Sequence, residues 1–333
     1  MKQPSGLSRA LFQFQKLVLG LSFLLCLAVG ACYLIRPDSF AAVTIFPVWA
    51  WLGPGLFLAA LGWGYRTRRA AVVVALVWLG YLGVFAEEPR SLLRFGQWPT
   101  REWEAAREQG RGLRVVSLNS RVAEQAAAEV AQYHPDIVLL QESPPQKQVK
   151  RVAAKLFGDQ GEFLWSSDVS IIVRGSLALN PVPTPKHLVL ARVRLKSGIE
   201  ANVISTRLHS PVFGAELWSL NCWQEQAENR RKHRAEMERT KALLAALPES
   251  VPIIIGGDFN SPAGDAIYRL LKPRLHDTFA EAGRGWGNTA FNHLPVLRVD
   301  EVWTSDHFRA LAVVARETIN SDHRLVVCDL IVR

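Results

Sequence analysis

Apolar and polar positions divide this chain into two regimes. Residues 17–35, LVLGLSFLLCLAVGACYLI, carry no charge; residues 40–65 carry none either, and 70–86 (AAVVVALVWLGYLGVFA) form a third uncharged run. A bilayer core takes about 20 apolar residues per helix. Three N-terminal transmembrane helices are therefore expected within residues 1–86, the second kinked by Pro47 and Pro54. A single cleaved leader would need only one such run. From about residue 112 the pattern changes to short, β-branched runs: LRVVSL, DIVLLQ, VSIIVR, LVLARVRL, ANVISTRL, the run at 251–255, RVDEVWTS, ALAVVAR and RLVVCDLIV. Helical stretches at 121–133 and 223–247 alternate with them. LVLARVRLKSGIEANVISTRL reads as a hairpin turning at Ser197–Gly198, so mixed rather than purely parallel pairing is expected. The organisation predicted is a membrane anchor (1–86), a polar, Trp-bearing juxtamembrane linker (87–111) and an α/β or α+β domain (112–333).

Charge orients this arrangement. Lys2, Arg9 and Lys16 precede the first apolar run, Arg36 and Asp38 cancel in the first loop, and Arg66, Arg68 and Arg69 crowd the second. The positive-inside rule puts the N-terminus and the second loop in the cytoplasm, so everything after about Ala86 is expected to be extracytoplasmic. Residues 1–86 hold seven of the 39 Lys and Arg but one of the 30 Asp and Glu, which leaves 32 cations against 29 anions beyond them. Most of the net +9 is thus topogenic, and the domain lacks the strongly basic balance that would itself argue for nucleic-acid binding. Cys26 and Cys32 lie in the first apolar run; Cys222 and Cys328 could pair with each other in an oxidising compartment but show no framework spacing.

Polar residues recur at strand ends, where a sheet presents groups to a shared cleft. In VPIIIGGDFNSP (251–262) an apolar, non-alternating run ends on two glycines, followed by Asp258 and Asn260. The run suits a strand covered on both faces. The glycines permit approaches a Cβ forbids, and Asp258 and Asn260, two apart in extended chain, would point the same way. Asp, Asn, Ser and Pro equally suit a turn-rich loop. SLNS places Asn119 after the first strand, LLQES places Glu142 after the second, and STRLHSP places His209 after the hairpin's return strand. RVDEVW carries Asp300, and SDHRLVV puts Asp322 and His323 before the last strand. Each alone is more often a turn former, a solvated charge or a satisfied core residue.

The ordered set Asn119, Gln141-Glu142, His209, Gly257-Asp258-Phe259-Asn260, Arg298-Val299-Asp300 and Ser321-Asp322-His323 resembles the endonuclease/exonuclease/phosphatase (DNase I-like) superfamily over about residues 112–333. The resemblance implies a four-layer sandwich, two mixed β-sheets flanked by helices, and metal-dependent cleavage of a phosphate ester. By it, Asn119, Glu142 and Asp322 would be metal-side residues for Mg²⁺, with Mn²⁺ or Ca²⁺ as alternatives, since hard cations take oxygen ligands. Asp258 would position or deprotonate water, and Asn260 would orient it or hold a phosphate oxygen. Asp300 would fix the His323 imidazole so that its cation meets the developing charge. His209 would contact phosphate or protonate the leaving oxygen. Leu208 stands where the family usually has Thr before this His, and Ser170 where many members have Gly. The partners implied are a phosphoester substrate (nucleic acid, phospholipid or small molecule) and the membrane.

Other features have plainer readings. NRRKHRAEMER (229–239) is expected to be the exposed start of a long helix, its cations balanced by Glu225, Glu228, Glu236 and Glu238, with His233 on that solvated face. His134, His187, His276, His293 and His307 read as structural or exposed. Trp218, Trp223 and Trp286 would flank the cleft, to stack a base or touch lipid, or pack.

Overall fold

The computed structural model describes residues 6–333 except 213 and 273. The chain forms two compact units, Met1–Pro89 with Gly214–Ala227, and Arg90–Phe213 with Glu228–Arg333.

The first unit contains a 30-residue helix, Gly6–Ile35, an 18-residue helix, Arg68–Phe85, and between them a helix pair, Asp38–Thr44 and Val48–Leu61, bent by 77°. Pro47, with no N–H to donate and φ fixed, sits at the break. Two of these helices are long and apolar enough to cross a membrane, or three spans result if the bent pair is one. Their inner faces pack Leu19, Cys26, Val29, Tyr33, Val74 and Trp78. Small and polar residues let the helices approach: a Cβ at Gly55 would lie 2.1 Å from the Trp78 ring, and Trp78 Nε1 donates to Ser22 Oγ (3.1 Å), which donates to Gly55 O (2.8 Å). Trp223, from the segment Gly214–Ala227, meets Phe40 edge-on at 5.7 Å.

The second unit is an α/β sandwich. Its strands are β1 (Gly112–Asn119), β2 (Ile137–Gln141), β3 (Gly161–Trp165), β4 (Val169–Leu179), β5 (Leu188–Leu195), β6 (Glu200–Arg207), β7 (Ile253–Asp258), β8 (His276–Asp277), β9 (Asp300–Thr304), β10 (Phe308–Arg316) and β11 (Leu325–Val332). The expected hairpin is β5–β6. Rather than two separate sheets, the strands follow one hydrogen-bonded path, β10-β11-β1-β2-β4-β5-β6-β7-β9-β8, with β3 on β4. The reason lies in β4. Its residues through Val173 pair with β2, and those from Gly175 on pair with β5. At Gly175 (φ 155°) a Cβ would stand 2.2 Å from Arg194 O, so only glycine lets the strand pass from one half of the curled sheet to the other. Leu113, Val115, Ile137, Leu139, Ile171, Val203 and Ile254 fill the space between the halves. On the outer face of one half, Val116, Leu118 and Val138 meet the helix Gln146–Phe157 through Val149 and Val152. On the other, Ile204 and Ile255 meet Met237, Leu243 and Leu244 of the helix Leu220–Ala246. The alternation of inward Val115 with outward Val116 and Leu118 is the period-2 signature of a strand covered on both sides.

The segment expected to be a linker is partly built into this unit. Helix Arg101–Glu108 is capped by Thr100, whose Oγ1 accepts from Trp103 N (3.1 Å). Trp103 is buried with Ala106 against Ile331 and donates Nε1–H to Leu113 O at 3.2 Å. Its other face carries the Arg114 guanidinium, which is paired with Asp329 at 2.6 and 3.0 Å. Burying a tryptophan is what converts the polar run into structure.

Candidate active site

The parallel pairs β1/β2 and β6/β7 end at the same edge, and the antiparallel β9 and β11 begin there. Asn119 is in register with Gln141, Arg207 with Asp258, and Asp258 with Asp300. Topology alone therefore brings together groups separated by up to 204 positions in sequence.

Asp258 is 1% exposed. Its Oδ1 accepts from Asn260 N (2.9 Å) and its Oδ2 from Asn119 Nδ2 (3.0 Å). Burial, then the neighbouring Asp300 charge, push its carboxyl up to about 6, against the opposing influence of His323. The close seat of β7 explains the two glycines: a Cβ at Gly257 (φ 158°) would lie 1.8 Å from Thr206 O, and one at Gly256 2.7 Å from Leu139 Cδ1. Asn260 is not extended with Asp258. It is left-handed (φ 48°), Phe259 turns into the core, and the Asn260 amide donates to Leu208 O at 2.9 Å.

Asp300 is buried, with Oδ2 2.8 Å from His323 Nδ1 and Oδ1 without a hydrogen-bond partner. Burial would depress the His323 imidazole, but the Asp300 charge and hydrogen bond, then Asp258 and Asp322, overcome it and raise it to about 10. Ligand atoms of Asp258, Asp300 and His323 lie within 4.8 Å of one another. The arrangement holds an imidazolium beside a carboxylate that is half-protonated near pH 6 and largely ionised at neutrality.

Glu142 follows β2 in a left-handed conformation (φ 41°). Its Oε1 accepts from Arg207 Nη2 (2.8 Å) and Asn119 Nδ2 (3.2 Å). Arg207 also pairs with Asp168 at 3.3 Å. Behind Glu142, Ser143 and Ser170 join hydroxyls. Asn119 presents its nitrogen to both carboxylates while its Oδ1 accepts from Arg121 N (3.1 Å), so in this orientation it is a donor to acids rather than an oxygen offered to a cation. Asp322 is exposed beside His323. His209 is exposed as well, but its backbone is held: N donates to Glu236 Oε2 (2.9 Å) and O accepts from His233 Nε2 (2.7 Å).

A divalent cation fits the chemistry of this edge: Asp258 and Asp300 are hard oxygen donors grouped with His323, Glu142 shares the Asn119 amide with Asp258, and one buried oxygen, Asp300 Oδ1, has no hydrogen-bond partner. The residues that sequence reasoning passed over are Arg207, Asp168 and His233. Arg207 was visible as a cation closing an otherwise buried strand in STRLHSP. For His233 the solvated-face expectation is corrected: Asn229, Arg230, His233, Met237 and Thr240 are buried at helical spacing, while Arg231 and Lys232 are exposed. Arg230, His233 and Thr240 of that buried face have partners of their own, Asp265 for Arg230 at 2.9 Å. His187 is buried on Thr240, and His276 and His293 pair with Asp306 and Glu317. All four cysteines are free.

The sequence profile described as the Endonuclease/Exonuclease/phosphatase family matches residues 116–323, more than half of the chain. Several solved structures share the fold. An endonuclease/exonuclease/phosphatase from Beutenbergia cavernae DSM 12333 is 18% identical, with a TM-score of 0.50 over 67% of this chain and 72% of its own. Another, from Bacteroides vulgatus, is 13% identical, with a TM-score of 0.50 over 67% of this chain and 99% of its own. A functionally unknown conserved protein from Enterococcus faecalis V583 is 13% identical, with a TM-score of 0.50 over 66% and 100%. No curated protein matches the sequence.

Proposed function

Because this chain belongs to the endonuclease/exonuclease/phosphatase family, whose members act on phosphate esters, we propose that it is a divalent-metal-dependent phosphodiesterase. Its first reading is nuclease-like, and we place it at the extracytoplasmic face of a membrane that its N-terminal helices anchor it to. One observation carries the chemistry: Asp258, Asp300 and His323 converge within 4.8 Å at the sheet edge that also bears Glu142. The anchor rests on the apolar helices and their cationic flanks.

In this reading Asp258, near 6, is largely ionised at neutral pH and takes the proton of the attacking water as its oxygen bonds to phosphorus. The Asn260 N–H and Asn119 amide fix the carboxylate's two oxygens, so it meets water without reorganising. His323, held as a cation by Asp300, neutralises charge growing on the non-bridging phosphate oxygens. As the bond from phosphorus to the leaving oxygen breaks, His209 supplies that oxygen's proton. Glu142 and Asp322 would hold the cation, and the Asn119 amide and Arg207 would keep the Glu142 carboxylate aligned. A bound Mg²⁺, Mn²⁺ or Ca²⁺ supplies Lewis-acid polarisation of a phosphoryl oxygen.

A second reading, cleavage of a phospholipid, is favoured by the segment Gly214–Ala227. It belongs with the apolar helices, Trp223 packs among them, and Trp218 and Leu220 are 87% and 82% exposed. DNA, RNA, sphingomyelin, phosphoinositides and a chromogenic diester, each assayed with and without EDTA, separate the two. EDTA-sensitive cleavage of DNA or RNA supports the first, and of lipid alone the second. EDTA-insensitive turnover would refute both.

A further inference from the structure

The helix Leu220–Ala246 places a histidine where no catalytic motif of this sequence calls for one. His233 is 2% exposed, yet both ring nitrogens are engaged: Nε2 lies 2.7 Å from His209 O and Nδ1 lies 2.7 Å from Ser261 Oγ. A carbonyl only accepts, so Nε2 carries the hydrogen, and Nδ1 therefore accepts from the Ser261 hydroxyl. Ser261 directly follows Asn260, and its own carbonyl is held by the Tyr268 hydroxyl at 3.0 Å. We propose that His233 is a positioning residue for the reaction. It ties the backbone of His209 to the segment Asp258–Ser261, so that the leaving-group side and the water side of the site keep one spacing.

Two further bonds close the clamp. Asn260 Nδ2 donates to Leu208 O, and Glu236, three residues along the same helix, accepts from His209 N. The peptide groups on both sides of His209 are thus held from the helix and from the catalytic loop, while its side chain stays exposed for substrate. Geometry of this kind matters because a misplacement of about 1 Å at a remote residue can cost on the order of 10²-fold in rate. The imidazole suits the task better than a charged group: burial depresses its pKa, keeping it neutral with one donor and one acceptor.

The inference rests on the phosphoesterase reading, so its test has one arm that is independent of turnover. The full chain in detergent carries His233→Ala, His233→Gln, His233→Asn or Ser261→Ala. Gln places a donor near the Nε2 position, and Asn an acceptor near the Nδ1 position. Amide hydrogen exchange across residues 207–211 reports the clamp directly; kcat and KM on whichever diester the wild type cleaves report its consequence. Losing the tie to the His209 carbonyl should speed exchange of that segment about tenfold, as expected for a net hydrogen-bond contribution of this size, and lower kcat about tenfold with KM within twofold. His233→Gln should restore most of both, His233→Asn little, and Ser261→Ala should give a smaller loss of the same kind. If His233→Ala does not fold, the Gln, Asn and Ser261 variants decide the matter. Wild-type exchange in all four variants, or equal damage from Gln and Asn, would overturn the clamp. Absence of any diesterase activity in the wild type would sink the phosphoesterase reading, and the exchange comparison would still decide the clamp.

Discussion

Replacing Asp300 by Asn removes one charge from the buried pair with His323 and leaves a side chain of nearly the same shape. The pair is 2.8 Å apart, with side-chain exposures of 0% for Asp300 and 15% for His323. At an effective dielectric of about 20 the attraction at that separation is roughly 6 kcal/mol. The rise of His323 from 6.5 to about 10 corresponds to roughly 5 kcal/mol at about 1.4 kcal/mol per pKa unit, the net of that attraction and the smaller ones of Asp258 and Asp322 against the cost of burial. Without the Asp300 charge the largest influence that raises the imidazole is gone, and burial is opposed only by Asp258 and Asp322, so its hold on the proton weakens. The electrostatic help that His323 gives the transition state is then lost, which costs about 10²–10³ in kcat. Asp300→Asn should therefore approach the loss seen in His323→Ala, and the double variant should be little worse than His323→Ala alone, because residues acting as one unit are non-additive. The assay is steady-state hydrolysis of a diester at saturating metal, with melting temperatures and metal affinities matched across the set. Fully additive losses would show that Asp300 does not act through His323.

Other consequences are as specific. Glu142→Gln replaces a charged donor by an amide and should weaken Mn²⁺ binding at least tenfold by calorimetry while leaving the fold intact; unchanged affinity removes Glu142 from the metal site. Gly257→Ala drives a Cβ into Thr206 O and should cost on the order of 2–3 kcal/mol, read as a melting temperature lower by about 5–10 °C; a neutral result would mean β6 and β7 are not seated so closely. His233 is depressed when folded, with Asp265, His209 and Arg230 as its charged or titratable neighbours. Its stabilisation is thus complete above the unfolded value of about 6.5 and is lost as pH falls below it. Wild type minus His233→Gln stability should shrink from pH 7 to pH 5, and a flat difference would contradict a buried neutral imidazole. A reporter active only outside the cytoplasm should function when fused after Gly112; activity confined to a cytoplasmic reporter would invert the topology.

The strand ends were legible because burial on both faces leaves an apolar run and a polar residue stands out at its end. Asn119, Glu142, Asp258, Asp300 and His323 all occupy such positions; the parallel pairs and the antiparallel β7/β9 pair align the strand ends, and His323 joins through Asp300. Other features depend on contacts that no local pattern encodes. Gly175 looks like any strand glycine until the Arg194 carbonyl is seen against it, and the two sheets that the resemblance implied are one curled path through this strand. Trp103 read as part of a tether because it packs on Ile331, from the last strand, and under Arg114, which Asp329 of that strand holds in place. His233 was hidden among charges, since the polar partners that make its burial tolerable lie some 30 residues away. The orientation of the Asn119 amide, nitrogen toward the acids, follows only from seeing Glu142 and Asp258 flank it.

The central claim is that Asp258 and its neighbours hydrolyse phosphodiesters with a divalent cation. It is tested most directly by turnover of DNA, RNA and a chromogenic diester by the full chain in Mg²⁺ or Mn²⁺, beside EDTA-treated protein and the Asp258→Asn variant. Cleavage that EDTA abolishes and metal restores is expected, lowered about 10²-fold or more in Asp258→Asn at an unchanged melting temperature. Cleavage that survives EDTA, or an Asp258→Asn protein as active as the wild type, would contradict it.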